Sequence, residues 1–405
     1  MANTLLTPQM ITREALRVLH AKLNFVKRVN RQYDDRFAQS GGKIGATLNI
    51  RKPPRYTVSS GPNLSIQDST ESFVPLTVTN QRHVDMSFSS FELTMQIDDF
   101  SKRFIEPAMA QLASYIENDA LSVYKNVWSQ VGTPTAPLNA LRPFLQARQR
   151  MNNNLAPLDG QRTMLLNTDT SVEVVDALKG LFQSSNQIKQ QYEEGMMGRT
   201  AGFDWLENTL LPNQTPGTFA GTILVNGAGQ TGATLIADGA TASSAAIKAG
   251  DVFTLPGVFG VHRETRQAFG YLQQFVATSD ATADGSGNLS IGISPSIITS
   301  GAFQTVTASP ADNAALTFAG TASTPYGVNL AFHKDAFTFA TADLVDVSKE
   351  GAWGARENFD GISMRIARQY AIGTDTVPTR IDVLYGYACL YPELACRVAN
   401  QPSTS

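Results

Sequence analysis

The segment whose glycine spacing could cradle a phosphate is Gly227-Ala-Gly229-Gln-Thr-Gly232. It fits G-x-G-x-x-G, follows the strand-like Thr222-Ile-Leu-Val225, and has Asp251 about twenty residues on. A dinucleotide site needs a helix to open at the third glycine, because the helix N-terminus holds the pyrophosphate. Ala233-Thr-Leu-Ile-Ala-Asp-Gly239 follows instead, a strand and a turn, so the glycines predict a β-hairpin. The four histidines, His20, His83, His262 and His333, never fall three or four apart, and no H-E-x-x-H or cysteine cluster offers metal ligands. No G-x-S-x-G elbow presents a nucleophile. Asp98-Asp99 is the nearest thing to a carboxylate pair, and it precedes a helical segment, where acidic residues favour the N-terminal dipole. The spacing of Cys389 and Cys396 matches no common zinc or redox motif, and Cys389 continues the alternation of Val383, Tyr385 and Tyr387 as a buried inert thiol. Arg51, Lys52 and Arg55 with Tyr56 make a basic–aromatic cluster too small for a dedicated nucleic-acid binder. The expectation is no catalytic, no cofactor-binding and no metal-binding residue, and no cofactor.

The elements that carry these residues start with an amphipathic helix over residues 8–26. Thr7-Pro8 supplies a capping hydroxyl and a proline for the first turn. Leu16, Leu19, Leu23 and Val26 form one apolar stripe, which needs a cover from the body or from another molecule. Residues 43–90 alternate as long strands around a wide polar loop, with Pro53-Pro54 excluding a central strand there. They hold too few large apolar residues for a core of their own and read as an extended β-arm. Residues 107–131 then take the helical period, about 37 Å at 1.5 Å per residue. Leu141–Met151 and Asp169–Leu181 also read as helices, the second capped by Thr168 or Asp169, with a buried strand at Thr163–Leu166 between them.

Composition shifts near residue 216. Residues 216–325 hold 15 of the 31 glycines but nine charged residues, and short apolar runs recur between turn signals. That is the signature of a small all-β unit. Mixed character returns at 326, with strands at Val328–Phe332, Phe337–Phe339, around Ile362–Ile366, and from Ile381 to Cys389. The class is α+β, with an inserted small all-β domain.

Of 405 residues, 17% are charged, below the roughly 25% usual for soluble domains. Much of the surface is therefore expected to meet other protein. Residues 1–60 carry eleven Lys/Arg and three Asp/Glu, a balance of +8, so a net −3 leaves −11 on the rest. A basic arm on an acidic body fits an acidic partner, nucleic acid or a neighbouring copy's body, and equally a solvated helix face. Met1-Ala-Asn-Thr-Leu-Leu-Thr-Pro8 has no basic start followed by an apolar stretch, so it is not a signal peptide, and no segment reaches 18 apolar residues.

The order of these parts resembles the major capsid proteins of tailed double-stranded-DNA bacteriophages, the Hong-Kong-phage-type capsid fold, and more narrowly the short-tailed-phage coat proteins with an inserted domain. Thr200-Ala-Gly-Phe-Asp-Trp205 resembles the junction before the insertion, and Ile247-Lys-Ala-Gly-Asp-Val-Phe-Thr-Leu-Pro-Gly-Val258 a strand–turn segment inside it. Tyr271-Leu-Gln-Gln-Phe-Val276 resembles the strand that follows, and Asn329-Leu-Ala-Phe-His-Lys-Asp-Ala336 the point of return. The resemblance implies an N-terminal arm at 1–40, an extended β-loop at 41–80, and a peripheral domain at 81–135 whose spine helix is 107–131. It implies an axial domain first part at 136–215, an inserted β-barrel-like domain at 216–325, and completion of the axial and peripheral domains at 326–405. It further implies pentamers and hexamers in an icosahedral shell, with a scaffolding protein and a portal ring as partners. Packaged double-stranded DNA would be touched only by weak, non-specific contact, with no membrane involved. Such a subunit is made in the host bacterial cytoplasm and ends in the virion capsid. Lys43 and Lys52 lie in the loop where some relatives form Lys–Asn crosslinks. The rival reading is a secreted or surface β-rich adhesion protein with an Ig-like domain, which leaves the long helix and the missing signal peptide unexplained.

Overall fold

The computed structural model describes residues 7–32, 45–64, 66–69, 71–87, 101–178, 198–345, 347, 353–359, 361–370 and 378–401. Lys43, Asp98 and Asp99 lie outside them. The chain divides into two compact units, one of Met1–Ile50, Phe73–Leu121 and Phe337–Leu390, the other of Arg51–Ser72, Ser122–Ala336 and Tyr391–Ser405.

In the first unit, helix α1 (Pro8–Lys22) starts as its sequence requires, with Thr7 Oγ1 accepting the Met10 N–H at 3.3 Å and Pro8 in the first turn. It ends four residues earlier than the periodicity suggests, and Val26–Arg28 is a separate 3-10 turn. The cause is Glu117, a buried carboxylate that accepts the backbone N–H groups of Asn24, Phe25 and Val26 at the break. The stripe Leu16, Leu19, Leu23 and Val26 is fully buried, covered by the unit's own body. Helix α2 (Glu106–Leu121) packs beside α1 and buries Met109, Leu112, Ala113 and Ile116.

Strands β1 (Ala46–Lys52) and β2 (Ser72–Val78) form a two-stranded ribbon, and β3 (Asn80–Ser87) leaves it to join a five-stranded sheet. The rest of that sheet is β16 (Phe337–Ala342), β17 (Trp353–Phe359), β18 (Ile362–Arg368) and β19 (Pro378–Cys389). All its pairs are antiparallel, and β19 is central, bonding to β3, β16 and β18.

The expected 25-residue helix over 107–131 is corrected: α2 holds 16 residues, about 24 Å long. Ser122–Asn126 tightens to a 3-10 turn, and β4 (Gln130–Gly132) is a strand. The run Val123, Tyr124, Val127, Trp128, Val131 is β-branched and aromatic, poor in helix propensity and suited to a sheet. Gln274 completes the change, since its amide accepts the Gln130 N–H at 2.8 Å and donates to the Gln130 carbonyl at 2.9 Å.

In the second unit, a seven-stranded mixed sheet runs β4, β20 (Ala395–Asn400), β15 (Tyr326–His333), β5 (Arg162–Leu166), β7 (Phe203–Glu207), β6 (Arg199–Thr200), with β8 (Asn213–Gln214) pairing β15. Helices α3 (Arg142–Asn153) and α4 (Thr168–Leu178) cover it through Phe144, Ala147, Met151 and Val174. The cap of α4 is neither Thr168 nor Asp169 but Asn167, whose Oδ1 accepts the Thr170 N–H at 2.8 Å.

The low-charge stretch builds a six-stranded antiparallel sheet: β14 (Thr317–Phe318), β11 (Val252–Val261), β12 (Ala268–Ala277), β13 (Leu289–Ile297), β10 (Gly232–Ala240), β9 (Gly221–Val225). Its core comes from its own strands and turns, with Val225, Leu235, Phe253, Phe275, Ile291 and Val306 buried together. Asp251 holds the turn before β11 by accepting from the N–H groups of Gly217 (2.9 Å) and Lys248 (2.8 Å) and from Gln214 Nε2 (3.0 Å). Burial pushes its carboxyl above the usual aspartate range.

Candidate assembly interface

Gly227, Gly229 and Gly232 lie in the β9–β10 hairpin with φ of 92°, 77° and 96°. The glycines serve left-handed turn geometry, and a strand rather than a helix follows the third. Gln230 braces the turn, accepting the Ile236 N–H at 2.7 Å and donating to its carbonyl at 2.9 Å.

Buried His333 places Nε2 within 3.1 Å of Asp159 Oδ1, while Asp335 donates its N–H to His333 Nδ1 at 3.3 Å. His262 Nδ1 accepts two N–H groups of its own turn, from Glu264 and Thr265. His83 lies 3.0 Å from Asp85 on β3. Among the described residues, no three His, Cys, Asp or Glu side chains are grouped to hold a metal ion, and no helix is long and apolar enough to cross a membrane. The thiols reverse the expectation: Cys396 is the fully buried one, its thiol pushed up to about 12 by burial, and Cys389 is half-buried.

Two surfaces remain. The first lies on the first unit, where an open cleft between α1 and β17 is lined by Met10, Arg13, Arg17 and Glu357. Arg13 Nε sits 3.4 Å from Glu357 with its side chain 72% exposed, and Arg17 pairs with Glu14 at 2.6 Å. The basic face of the arm therefore points outward with its ion pairs at the rim.

The second surface is the loop between β1 and β2. Its limbs are tied by Gln67, which accepts the Thr57 N–H at 2.7 Å and donates to the Thr57 carbonyl at 2.6 Å. The tip carries Val58, Leu64 and Ile66 at 97%, 87% and 83% exposure. The root is anchored. Lys52 Nζ lies 5.0 Å over the Tyr391 ring, Arg55 lies 5.6 Å over the Phe303 ring, and Arg266 donates to the Tyr56 carbonyl at 2.9 Å. Within the basic–aromatic cluster, Lys52 and Arg55 thus turn inward to protein, while Arg51 and Tyr56 stay exposed. Sequence spacing offers no signal for Glu393, Arg263 or Arg266, which meet this root from more than two hundred positions away.

No curated protein matches the chain. Among solved structures, the chain is similar to one from Mycobacterium phage Che8, at 11% identity, 93% of this chain, 90% of that chain and TM-score 0.48. It is similar to the satellite phage P4 procapsid that includes the size determination (Sid) protein, at 9% identity, 96% and 90% coverage and TM-score 0.39. The CUS-3 coat protein I-domain matches 24% of this chain over 94% of its own length, at 24% identity and TM-score 0.18. The profile of the P22 coat protein family, gene protein 5, matches residues 1–397. The chain belongs to the P22 coat protein family and is a major capsid protein, a structural subunit of an icosahedral phage shell.

Proposed function

We propose that the chain acts without enzymatic turnover, assembling as pentamers and hexamers into a shell around double-stranded DNA. The observation that carries this reading is the loop tip. Three large apolar side chains, Val58, Leu64 and Ile66, stand almost wholly in solvent on an anchored loop. Burying one such side chain is favourable by about 1.5–3 kcal/mol, so a second copy that covers the tip gains from each. Repeated by symmetry, modest contacts of this kind close a shell.

Scaffolding protein and portal ring are the proposed assembly partners, with DNA touched weakly and without sequence preference, and synthesis in the host bacterial cytoplasm. The exposed Arg13 and Arg17 face supports contact with an acidic partner, scaffold or neighbouring subunit. We divide the chain as arm 1–40, extended loop 41–80, peripheral domain 81–135, first part of the axial domain 136–215, completion of the axial and peripheral domains 326–405, and inserted β domain 216–325. The self-contained core of the six-stranded sheet supports that last division. Electron microscopy of the full chain co-expressed with scaffolding protein tests the proposal: closed shells of uniform size support it, and a stable monomer under every condition defeats it.

A further inference from the structure

The root of the extended loop converges on one acid. Glu393 sits in a 3-10 turn, Pro392–Leu394, and is 7% exposed. Its Oε1 accepts Arg263 Nη1 at 2.6 Å and lies 3.7 Å from Arg55 Nη2. Lys52, Arg55 and Arg263 together draw its carboxyl below the ordinary range against the upward push of burial. One turn along, Arg266 reaches the Tyr56 carbonyl with Nη2 and the Gly301 carbonyl with Nε at 3.0 Å. Pro53-Pro54 stiffens the chain between the two anchored cations.

The charge count makes the acid the keystone. Burial and the neighbouring charge of Arg263 both lower the Arg55 pKa, and the two guanidinium groups are held as like charges beside a shared carboxylate. Neutralising Glu393 turns attraction into repulsion at the point where the loop leaves the body. An exposed ion pair such as Arg51–Glu71, at 3.2 Å with an 80% exposed arginine, has no such leverage.

We propose that Glu393 is a positioning residue for assembly: it latches the root of the loop to the Arg263–Arg266 turn, and so sets the direction in which the apolar tip meets another copy. The proposal rests on the assembly reading above and adds the residue that orients the contact.

The test uses full-length Glu393→Gln and Arg55→Ala, with Arg51→Ala as the control. Amide hydrogen exchange is measured on the unassembled subunit, and particles are imaged after co-expression with scaffolding protein. In both latch variants, exchange at Thr57, whose N–H is held by Gln67, rises at least tenfold while β15 and β20 keep wild-type protection. Their particles are open or mixed in size, and Arg51→Ala matches wild type in both readouts. If Glu393→Gln does not fold, Arg55→Ala decides alone. A smaller rise in exchange refutes the latch, and a full rise with normal shells refutes its role in assembly. Failure of the wild type to form shells defeats the assembly reading instead, a different result from failure of the exchange measurement.

Discussion

Tyr385 donates its hydroxyl hydrogen to Asp119 Oδ2 at 2.6 Å, tying the central strand β19 to helix α2. The same oxygen accepts Arg82 Nε at 3.0 Å, so β3, β19 and α2 share one carboxylate. Burial and the adjoining carboxylate raise the phenol's pKa far above its ordinary value, which keeps it a donor at every physiological pH. Tyr385→Phe removes one bond to a charged acceptor and should cost about 1.5–3 kcal/mol in denaturant unfolding. Asp119→Ala should cost more, because it strands the buried Tyr385 hydroxyl and also removes the Arg82 pair, and the double variant should be less than additive.

A second prediction concerns acid stability. Burial raises the Glu393 pKa, the cations Arg263, Lys52 and Arg55 lower it, and the net result lies below the ordinary value of 4.5. A folded-state pKa below the unfolded one means stability present above the unfolded value and lost as pH falls through the folded one. The stability difference between wild type and Glu393→Gln should be flat from about pH 6 to 8 and shrink below about pH 4. Unfolding titrations at each pH measure it, and a difference that grows on acidification has the wrong sign.

Glycine positions should separate by surroundings. Gly132 has φ of 81°, and a Cβ there would strike the Ala399 carbonyl of β20. Gly132→Ala should cost about 2 kcal/mol or more, from left-handed strain plus displaced backbone. Gly229 has φ of 77° but open space around the added carbon, so Gly229→Ala should cost only about 1 kcal/mol. It should leave nucleotide affinity unchanged, because none is expected; micromolar NAD binding by the wild type would overturn the hairpin reading.

Charge reversal on the arm is the fourth prediction. Arg13→Glu with Arg17→Glu should block shell formation. The subunit's melting temperature should stay within a few degrees, because surface ion pairs such as Arg13–Glu357 contribute about 0–1 kcal/mol. Normal shells from this variant would make the arm's charge incidental.

Much of the fold is legible because local rules govern it. Thr7-Pro8 starts a helix, Ile381 to Cys389 alternates as a strand, and glycines turn the β9–β10 hairpin. Those signals need only near neighbours. Strand β20 carries no alternation because all six of its residues are buried, Arg397 and Asn400 among them. Arg397 is tolerated there because the Val127 and Gly250 carbonyls each accept from it at 2.8 Å, partners far away in sequence. The end of α2 is hidden for a similar reason: the helical row runs on through Val123 and Val127, and Gln274 decides otherwise from 144 positions away. The resemblance to tailed-phage coat proteins survives as family membership, since it rests on the order of parts. The Glu393 cluster does not show in the sequence, since Arg55 and Arg263 become neighbours only when two remote turns meet.

The measurement closest to the central claim compares wild type with a variant carrying Val58→Asp, Leu64→Asp and Ile66→Asp. Each is co-expressed with scaffolding protein, then analysed by sedimentation and electron microscopy. The substituted side chains are exposed in the subunit, so its unfolding midpoint should not move. The account predicts closed, uniform shells from wild type and free subunits from the variant. Uniform shells from the variant, or monomer under every condition from wild type, would contradict it.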